Sequence, residues 1–323
     1  MSVEGFVVSI SLRDRFRGCL IGLAVGDALG GRFESALPEH VQARFPSVEA
    51  LIAAPTDELW YTDDTQMAIG VAECLADVRR IDEDRLCRAF VANYVPSRGY
   101  GRGARLVLEA MEEGRDYRAV AEQHLPGGSF GNGAAMRVAP VGLFFHDDQA
   151  RLWDEARLQA LPTHRHPLGI EGAELLALAV ALALGPFDRQ TLLDRLLDAC
   201  VSVEYRRKLE QARQVRSAAD LAGLGNGIAA LESVPTAIAS FALTPNSYAD
   251  TIGNVILLGG DTDTMATMAG ALAGAQLGIE AIPRRLVELL ESSPKGRDYI
   301  IQLADQLHDA CSSSQQAPKE KPG

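Results

Sequence analysis

Two stretches of the chain carry residue types that could do chemistry. In Leu257-Leu258-Gly259-Gly260-Asp261-Thr262-Asp263-Thr264-Met265-Ala266 an apolar run delivers two glycines, and aspartates then alternate with threonines. Side chains at i and i+2 share a face when the backbone is extended but not inside a helix, so the spacing predicts that Asp261 and Asp263 converge from an extended segment. Two carboxylates held close together must share a proton or acquire a cation. Aspartate oxygens and threonine hydroxyls suit a hard divalent ion such as magnesium, calcium or manganese. The plain alternative is that Asp261 or Asp263 caps the helix that follows. A second stretch, Tyr61-Thr62-Asp63-Asp64-Thr65-Gln66-Met67, holds the same ingredients in another order. Adjacent helix residues point about 100° apart. Asp63 and Asp64 are therefore expected in the turn before a helix, holding two ions or one ion and one substrate group.

Further candidates lie between these clusters. Glu34 follows a glycine-rich apolar helix, where a polar group can face a cavity, although a surface role is the ordinary one. Leu125-Pro126-Gly127-Gly128-Ser129-Phe130-Gly131-Asn132-Gly133 frees several backbone amides to approach an anion, and a helix-like run, AAMRVAPVGLFF, follows at once. The spacing matches neither a Walker loop nor a dinucleotide fingerprint, and a simple glycine-rich turn fits as well. Phe130 could stack on a base or anchor the loop to the core. In Thr163-His164-Arg165-His166-Pro167 a histidine at a helix start could donate to a phosphate, with solvent exposure the default.

The elements that would position these groups read as helices. Residues 13–29 form one, with glycines at 18, 22 and 26 and Gly30 continuing the step of four. Each interior glycine costs about 1 kcal/mol of helix propensity relative to alanine, so the stripe needs compensation from packing. The stripe recurs at Gly270, Gly274 and Gly278. The two helices are expected at the centre of the fold, each meeting a neighbour at close range. Helical patterns also cover 67–78, 83–95, 102–114, 169–184, 188–200 and 204–216. Pro235 fits the first turn of a helix ending near Ala242, and two helices follow Pro283. Residues 312–323 read as a polar, disordered tail. Alternating strand patterns and internal repeats are absent, which predicts a single compact all-α domain of a dozen or more helices over 12–311, with flexible termini at 1–11 and 312–323.

Composition limits the function classes. The chain has 323 residues, 47% of them hydrophobic and 6% aromatic, and a net charge of −12. An acidic surface argues against a nucleic-acid backbone as direct partner. No run reaches the roughly 18 to 20 apolar residues of a membrane span, and MSVEGFVVSI lacks the basic start of a secretory signal. Cys19, Cys74, Cys87, Cys200 and Cys311 are scattered without CxxC spacing, as expected of reduced thiols. A cytoplasmic monomer is the expectation. The carboxylates of Glu34, Asp63, Asp64, Asp261 and Asp263 would carry about −5 if ionised, and two divalent ions would leave about −1.

Several blocks make the chain recognisable: RFRGCLIGLAVGDALG, YTDDTQM, RGYGRGA, GSFGNGAAMRVA, Pro162-Thr163-His164, LGNGIAALESVPTAI and LGGDTDTMATMAGALAGA. On these it resembles the ADP-ribosylglycohydrolase family, over residues 15 to about 278, and the LGNGIAALESVPTAI block points to the branch of the (ADP-ribosyl)hydrolase 3 type. The resemblance implies an all-helical fold and a binuclear magnesium centre, with manganese able to substitute. Thr62, Asp63, Asp64, Asp261, Asp263 and Thr264 would be metal ligands. Glu34 would be a mobile acid that ligates metal in the empty site and joins the chemistry when substrate is bound. Gly127, Gly128, Ser129, Phe130, Gly131, Asn132 and Gly133 would wrap the diphosphate and distal ribose of ADP-ribose, with Phe130 near the adenine, His164 at a phosphate, and Ile228 and Leu209 lining the nucleotide pocket. A further aromatic of that branch would fall near His124, a departure in this chain.

The implied chemistry is hydrolysis of the glycosidic bond of ADP-ribose attached to serine, extending to poly(ADP-ribose) or O-acetyl-ADP-ribose. On that resemblance, ions held there would bind the vicinal hydroxyls of the distal ribose and polarise the anomeric centre. Water attacks through an oxocarbenium-like transition state while an acid assists the leaving group. Glu34 is the acid/base candidate, with Asp63 or Asp64 next, and Asp63 also contacts substrate. ADP-ribosylated proteins or conjugates would be the partners. The alternatives are removal of ADP-ribose from arginine, as in the dinitrogenase-reductase-activating relatives, an ADP-ribose binding pseudoenzyme, and an unrelated two-metal phosphoester hydrolase.

Overall fold

The two glycine-striped segments become the centre of the molecule and pack against each other. A computed structural model describes residues 10–316. Leu12–Gly30 and Thr262–Leu277 are helices, the first capped by Ser11, whose hydroxyl accepts from Asp14 N at 3.1 Å. A Cβ placed on Gly18, Gly22, Gly26 or Gly30 would lie 2.3, 2.4, 2.1 or 2.4 Å from the carbonyl oxygen of Gly274, Gly270, Ala266 or Thr262. The pairs run in opposite senses, so the helices are antiparallel with backbones in contact. Thr262 Oγ1 donates to Gly30 O at 2.8 Å, joining the two helices at one end, and Tyr248 Oη donates to Gly22 O at 2.6 Å, linking the pair to its surroundings. This contact supplies the compensation that the propensity cost requires.

Further helices wrap the pair. Asp63–Val78 and Arg297–Gln316 pack together and beside the first helix, while Tyr248–Ile256, Ala230–Leu243 and Pro167–Ala183 surround the second. Seventeen α-helices and no strands occur among the described residues, in agreement with the all-α expectation. The only extended pairing among them is three isolated bridges, Ala36 with Gly260, Leu59 with Leu290 and Gly131 with Ala229. No described helix is long and apolar enough to cross a membrane. Cys19, Cys74, Cys200 and Cys311 are buried.

Three local expectations change. Pro235 sits inside Ala230–Leu243 rather than in its first turn, because Ile228 and Ala229 pair with the glycine-rich loop and the helix starts directly after them. The AAMRVAPVGLFF run is interrupted: a 3-10 turn, Asn132–Ala134, precedes Ala139–Phe144, so no α-helix begins at the loop. The last helix extends to Gln316, into the segment read as a disordered tail; the expectation of flexible termini at 1–9 and 317–323 lies outside the described residues.

Candidate metal centre and its cavity

The acidic clusters meet because each stands at the start of a central helix. Asp261 occupies the N-cap position of Thr262–Leu277 and Asp263 its first turn. Their convergence thus comes from a helix start, not from the extended segment that the i, i+2 spacing predicted. Nor is Asp261 a helix cap, because its side chain makes no capping bond. Instead its Oδ2 accepts from Asn132 Nδ2 at 2.5 Å, and Asn132 Nδ2 also reaches Ser233 Oγ at 3.0 Å. Asp263 Oδ1 accepts from Thr264 N at 2.8 Å.

Asp63 and Asp64 open Asp63–Val78, where Thr62 is the N-cap and accepts from Asp64 N at 3.3 Å. They lie within the helix rather than before it. Their different directions still serve one site, because a helix end presents its first turn to the space ahead of it, and both line the cavity. Thr62 is held by Asp27, a residue the sequence reasoning passed over. Asp27 is fully buried and accepts from Thr62 N at 3.0 Å with each oxygen. Its Oδ2 also accepts from Thr65 N at 3.0 Å and Thr65 Oγ1 at 2.5 Å. The signal was present, since an acid inside an apolar, glycine-striped helix must find buried donors.

Glu34 joins them from the turn after the first helix. Ser35, in the left-handed region at φ 61°, turns the chain; its N–H donates to Gly260 O at 2.7 Å, and Gly260 N donates to Ala36 O at 2.9 Å. Asp261 N in turn donates to Asn226 O at 2.8 Å. These bonds dock Glu34 against the aspartate loop. One carboxylate oxygen each from Glu34, Asp261 and Asp263 lies within 4.8 Å of the others, with Glu34 exposed at the mouth and the aspartates buried.

Burial and mutual repulsion act on every acid here. Burial, then Asp27 and Asp263, push Asp63 well above the ordinary carboxylate range, and burial, then Asp263, do the same to Asp64. Asp263 is raised to about 7 by burial and Asp261, and Asp27 to about 7 by burial against the pull of its donors. Asp261 and Glu34 shift upward chiefly by burial. Such a set stabilises bound protons or a bound cation. Asp64 Oδ2 is buried with no hydrogen-bond partner, an acceptor available to an ion. All the donor atoms are hard oxygens, so the residues fit a hard divalent cation.

The acids line one end of a cavity of about 390 Å³. The loop of Gly128, Ser129, Phe130, Gly131, Asn132 and Gly133 lines it too, with His164, Ile228 and Thr264. Asn132 N donates to Ile228 O at 3.0 Å and Ala230 N to Phe130 O at 3.1 Å, which pins the loop. Gly128 is required where it stands: its φ is 89°, and a Cβ would lie 2.4 Å from His166 N. Phe130 is exposed and meets the His166 ring edge-on at 5.8 Å, while His124 lines the wall where an aromatic was expected. His164 Nδ1 pairs with Thr163 Oγ1 at 2.8 Å. Burial, with help from Arg137, lowers His164 to about 3, so it offers a neutral imidazole rather than a charge.

Two candidates fall elsewhere. Leu209 is fully buried in the core on Val203–Gln214 and does not line the cavity, because that helix turns its apolar side inward. Gly127 lies off the wall, in the turn where its N–H donates to Glu122 Oε1 at 3.3 Å. Thr62 stands at the edge of the cluster, lining the neighbouring groove while a Cβ on Gly99 would meet both Thr62 Cβ, at 3.9 Å, and Asp63 Oδ1, at 3.6 Å. Sequence reasoning also missed Arg137, a fully buried cation at the cavity wall. Its Nε donates to Gln159 Oε1 at 2.9 Å and its Nη2 to Gln159 O at 2.7 Å, and burial lowers it to about 9. A lone arginine in an apolar run was its signal.

The ADP-ribosylglycohydrolase family profile matches residues 9–317. ADP-ribosylhydrolase ARH3 of Mus musculus is 36% identical over 341 residues, covering 91% of this chain and 91% of the relative. ADP-ribosylhydrolase ARH3 of Homo sapiens is 36% identical over 91% of this chain and 93% of the relative. A solved structure described as an ADP-ribosylglycohydrolase-related protein complex aligns with a TM-score of 0.71 at 27% identity, covering 93% of this chain and 99% of its own. With its acidic helix starts facing one cavity, the chain belongs to the ADP-ribosylglycohydrolase family and is a hydrolase acting on glycosidic bonds of ADP-ribose.

Proposed function

We propose that the chain is a magnesium-dependent hydrolase that releases ADP-ribose from serine in ADP-ribosylated proteins. The observation that carries this reading is the meeting of Glu34, Asp63, Asp64, Asp261 and Asp263 at one end of a cavity whose wall is the 128–133 loop. The serine linkage is supported by the LGNGIAALESVPTAI block and by the likeness to proteins named ADP-ribosylhydrolase ARH3.

Thr62, Asp63, Asp64, Asp261, Asp263 and Thr264 would hold two magnesium ions. When bound, the ions would supply positive charge to the distal ribose hydroxyls and offset the carboxylates. Gly128, Gly131 and Asn132 already donate to Leu125 O, Ser129 Oγ and Ile228 O, so the loop would offer the diphosphate its remaining backbone amides, and the neutral His164 imidazole would offer one N–H. Phe130 offers an exposed ring face to the adenine. Asn132, by donating to Asp261 Oδ2, holds that carboxylate in one orientation. Glu34 is exposed beside Asp261 and Asp263, and burial, then the Asp263 charge, raise its carboxyl above the ordinary range, which favours its protonated form. From there it would protonate the departing serine oxygen, which leaves as an alkoxide unless it receives a proton.

The test is product analysis on serine-linked, arginine-linked and polymeric ADP-ribose, with and without magnesium. Free ADP-ribose from the serine-linked substrate is expected, with loss of turnover in chelator and in Asp63→Ala or Asp261→Ala. Full activity in excess chelator, or release from arginine only, would overturn the reading.

A further inference from the structure

Beside the cavity, on the far side of Gly99, lies an open groove lined by Trp60, Thr62, Val95, Ser97 and Arg98. Gly99 belongs to both surfaces. Its φ is 90°, and a Cβ there would lie 3.6 Å from Asp63 Oδ1, so only a glycine's width separates the groove from a carboxylate of the acidic cluster. A group attached to ADP-ribose at its scissile end would emerge at this boundary.

The groove is built rather than incidental. Trp60 is 56% exposed, and among the described residues its indole N–H donates to nothing. Yet the backbone that carries it is clamped. Leu59 N donates to Leu289 O at 2.8 Å, Glu291 N to Leu59 O at 2.9 Å, and Tyr61 N to Glu291 Oε1 at 3.1 Å. Arg98 lies 5.6 Å from the Trp60 ring and 4.0 Å from the Tyr61 ring, and its Nη1 donates to Tyr61 O at 2.6 Å. A large aromatic carried on a clamped backbone, with Arg98 against its ring and the rest uncovered, loses less entropy on binding than one on a free loop, which is the property of an interface anchor.

The charges select the occupant. Among the described residues Arg98 is the only cation lining the groove, and it is bidentate to the fully buried Glu291, at 2.5 and 2.7 Å. That pairing neutralises it and leaves no free positive charge for the diphosphate of another nucleotide unit. An exposed indole, Val95 and the Ser97 hydroxyl instead match apolar side chains and peptide amides.

We propose that this groove is the subsite for the polypeptide carrying ADP-ribose, with Trp60 as its stacking platform. The assignment rests on the reading above that the cavity holds ADP-ribose with its scissile bond at the acidic cluster. Trp60 acts on specificity and touches none of the reacting atoms.

The experiment compares the full chain with Trp60→Ala and Trp60→Phe in magnesium buffer, on ADP-ribosyl-serine, on a peptide carrying ADP-ribosyl-serine, and on poly(ADP-ribose). Trp60→Ala is expected to lower kcat/KM for the peptide about tenfold, through KM, as loss of one aromatic anchor does. Turnover of ADP-ribosyl-serine should be unchanged, and Trp60→Phe should recover most of the peptide activity. Equal losses on peptide and single amino acid, or no loss on either, overturn the proposal. A loss confined to the polymer overturns it in favour of a second nucleotide unit. Failure of the unaltered chain to release ADP-ribose from any of the three instead refutes the reading of the cavity, and the groove assignment falls with it.

Discussion

Gly22→Ala tests whether the backbone contact at the centre of the fold is what holds the acids in place. The added Cβ would lie 2.4 Å from Gly270 O and 3.0 Å from Tyr248 Cε2, where ordinary contact begins at 3.4 Å. The helices must therefore separate by about 1 Å at that level. Two effects oppose each other. Alanine improves helix propensity by about 1 kcal/mol, while overpacking costs about 1–3 kcal/mol. The upper end applies, because the obstacle is a carbonyl inside a helix and not a side chain that can swing away. The separation also stretches the Tyr248 Oη bond to Gly22 O. A net loss of about 1–2 kcal/mol remains, or a melting point about 2–4 °C lower at roughly 2 °C per kcal/mol for a chain this long. Asp27 and the Asp261–Asp263 pair ride on the two displaced helices, and a misplacement of about 1 Å in a catalytic constellation can cost up to about 100-fold in rate. Calorimetry and turnover on the same preparations measure both quantities. Gly223→Ala, where a Cβ meets nothing within 4 Å, is the matched control. Gly22→Ala melting at or above the unaltered chain, with full turnover, would refute the reasoning.

Other perturbations probe the site directly. Asp27→Asn puts an amide among three donors on Thr62 and Thr65, leaving at least one buried donor unpaired at about 1–3 kcal/mol. Removing its repulsion with Asp263 offsets only part of this, so the magnesium concentration for half-maximal activity should rise about tenfold, and an unchanged midpoint would reject the role given to Asp27. Asn132→Asp replaces the donor to Asp261 with a like charge; turnover at pH 8 should fall by about 100-fold, and near-normal turnover would contradict the orienting role. In chelator, the raised carboxyls of Asp27 and Asp263 make the native state bind more protons than the unfolded chain between their ordinary value of 3.8 and about 7. Stability should therefore fall as pH rises through that window, and added magnesium should recover it at pH 8; a melting point that rises from pH 5 to pH 8 in chelator would reverse the sign and sink the argument.

The sequence by itself determined the periodic features and the chemical types. Glycines at every fourth position predict helices that touch, and the structure pairs Gly18 with Gly274 and Gly22 with Gly270. Alternating aspartates and threonines predict a hard-cation donor set, and those acids share one cavity. Spacing misled where it was asked for local geometry. Asp261 and Asp263 converge because a helix begins between them, and Asp63 and Asp64 reach one site from inside a first turn. Only tertiary structure decided that Asp27 holds Thr62, that Asn132 holds Asp261, that Leu209 belongs to the core, and that Trp60 stands uncovered beside Gly99. The physical reason is that a residue's spacing limits what its near neighbours can do. Its hydrogen-bond partners come from whichever helix packing brings near, here from positions as far apart as 27 and 62 or 132 and 261.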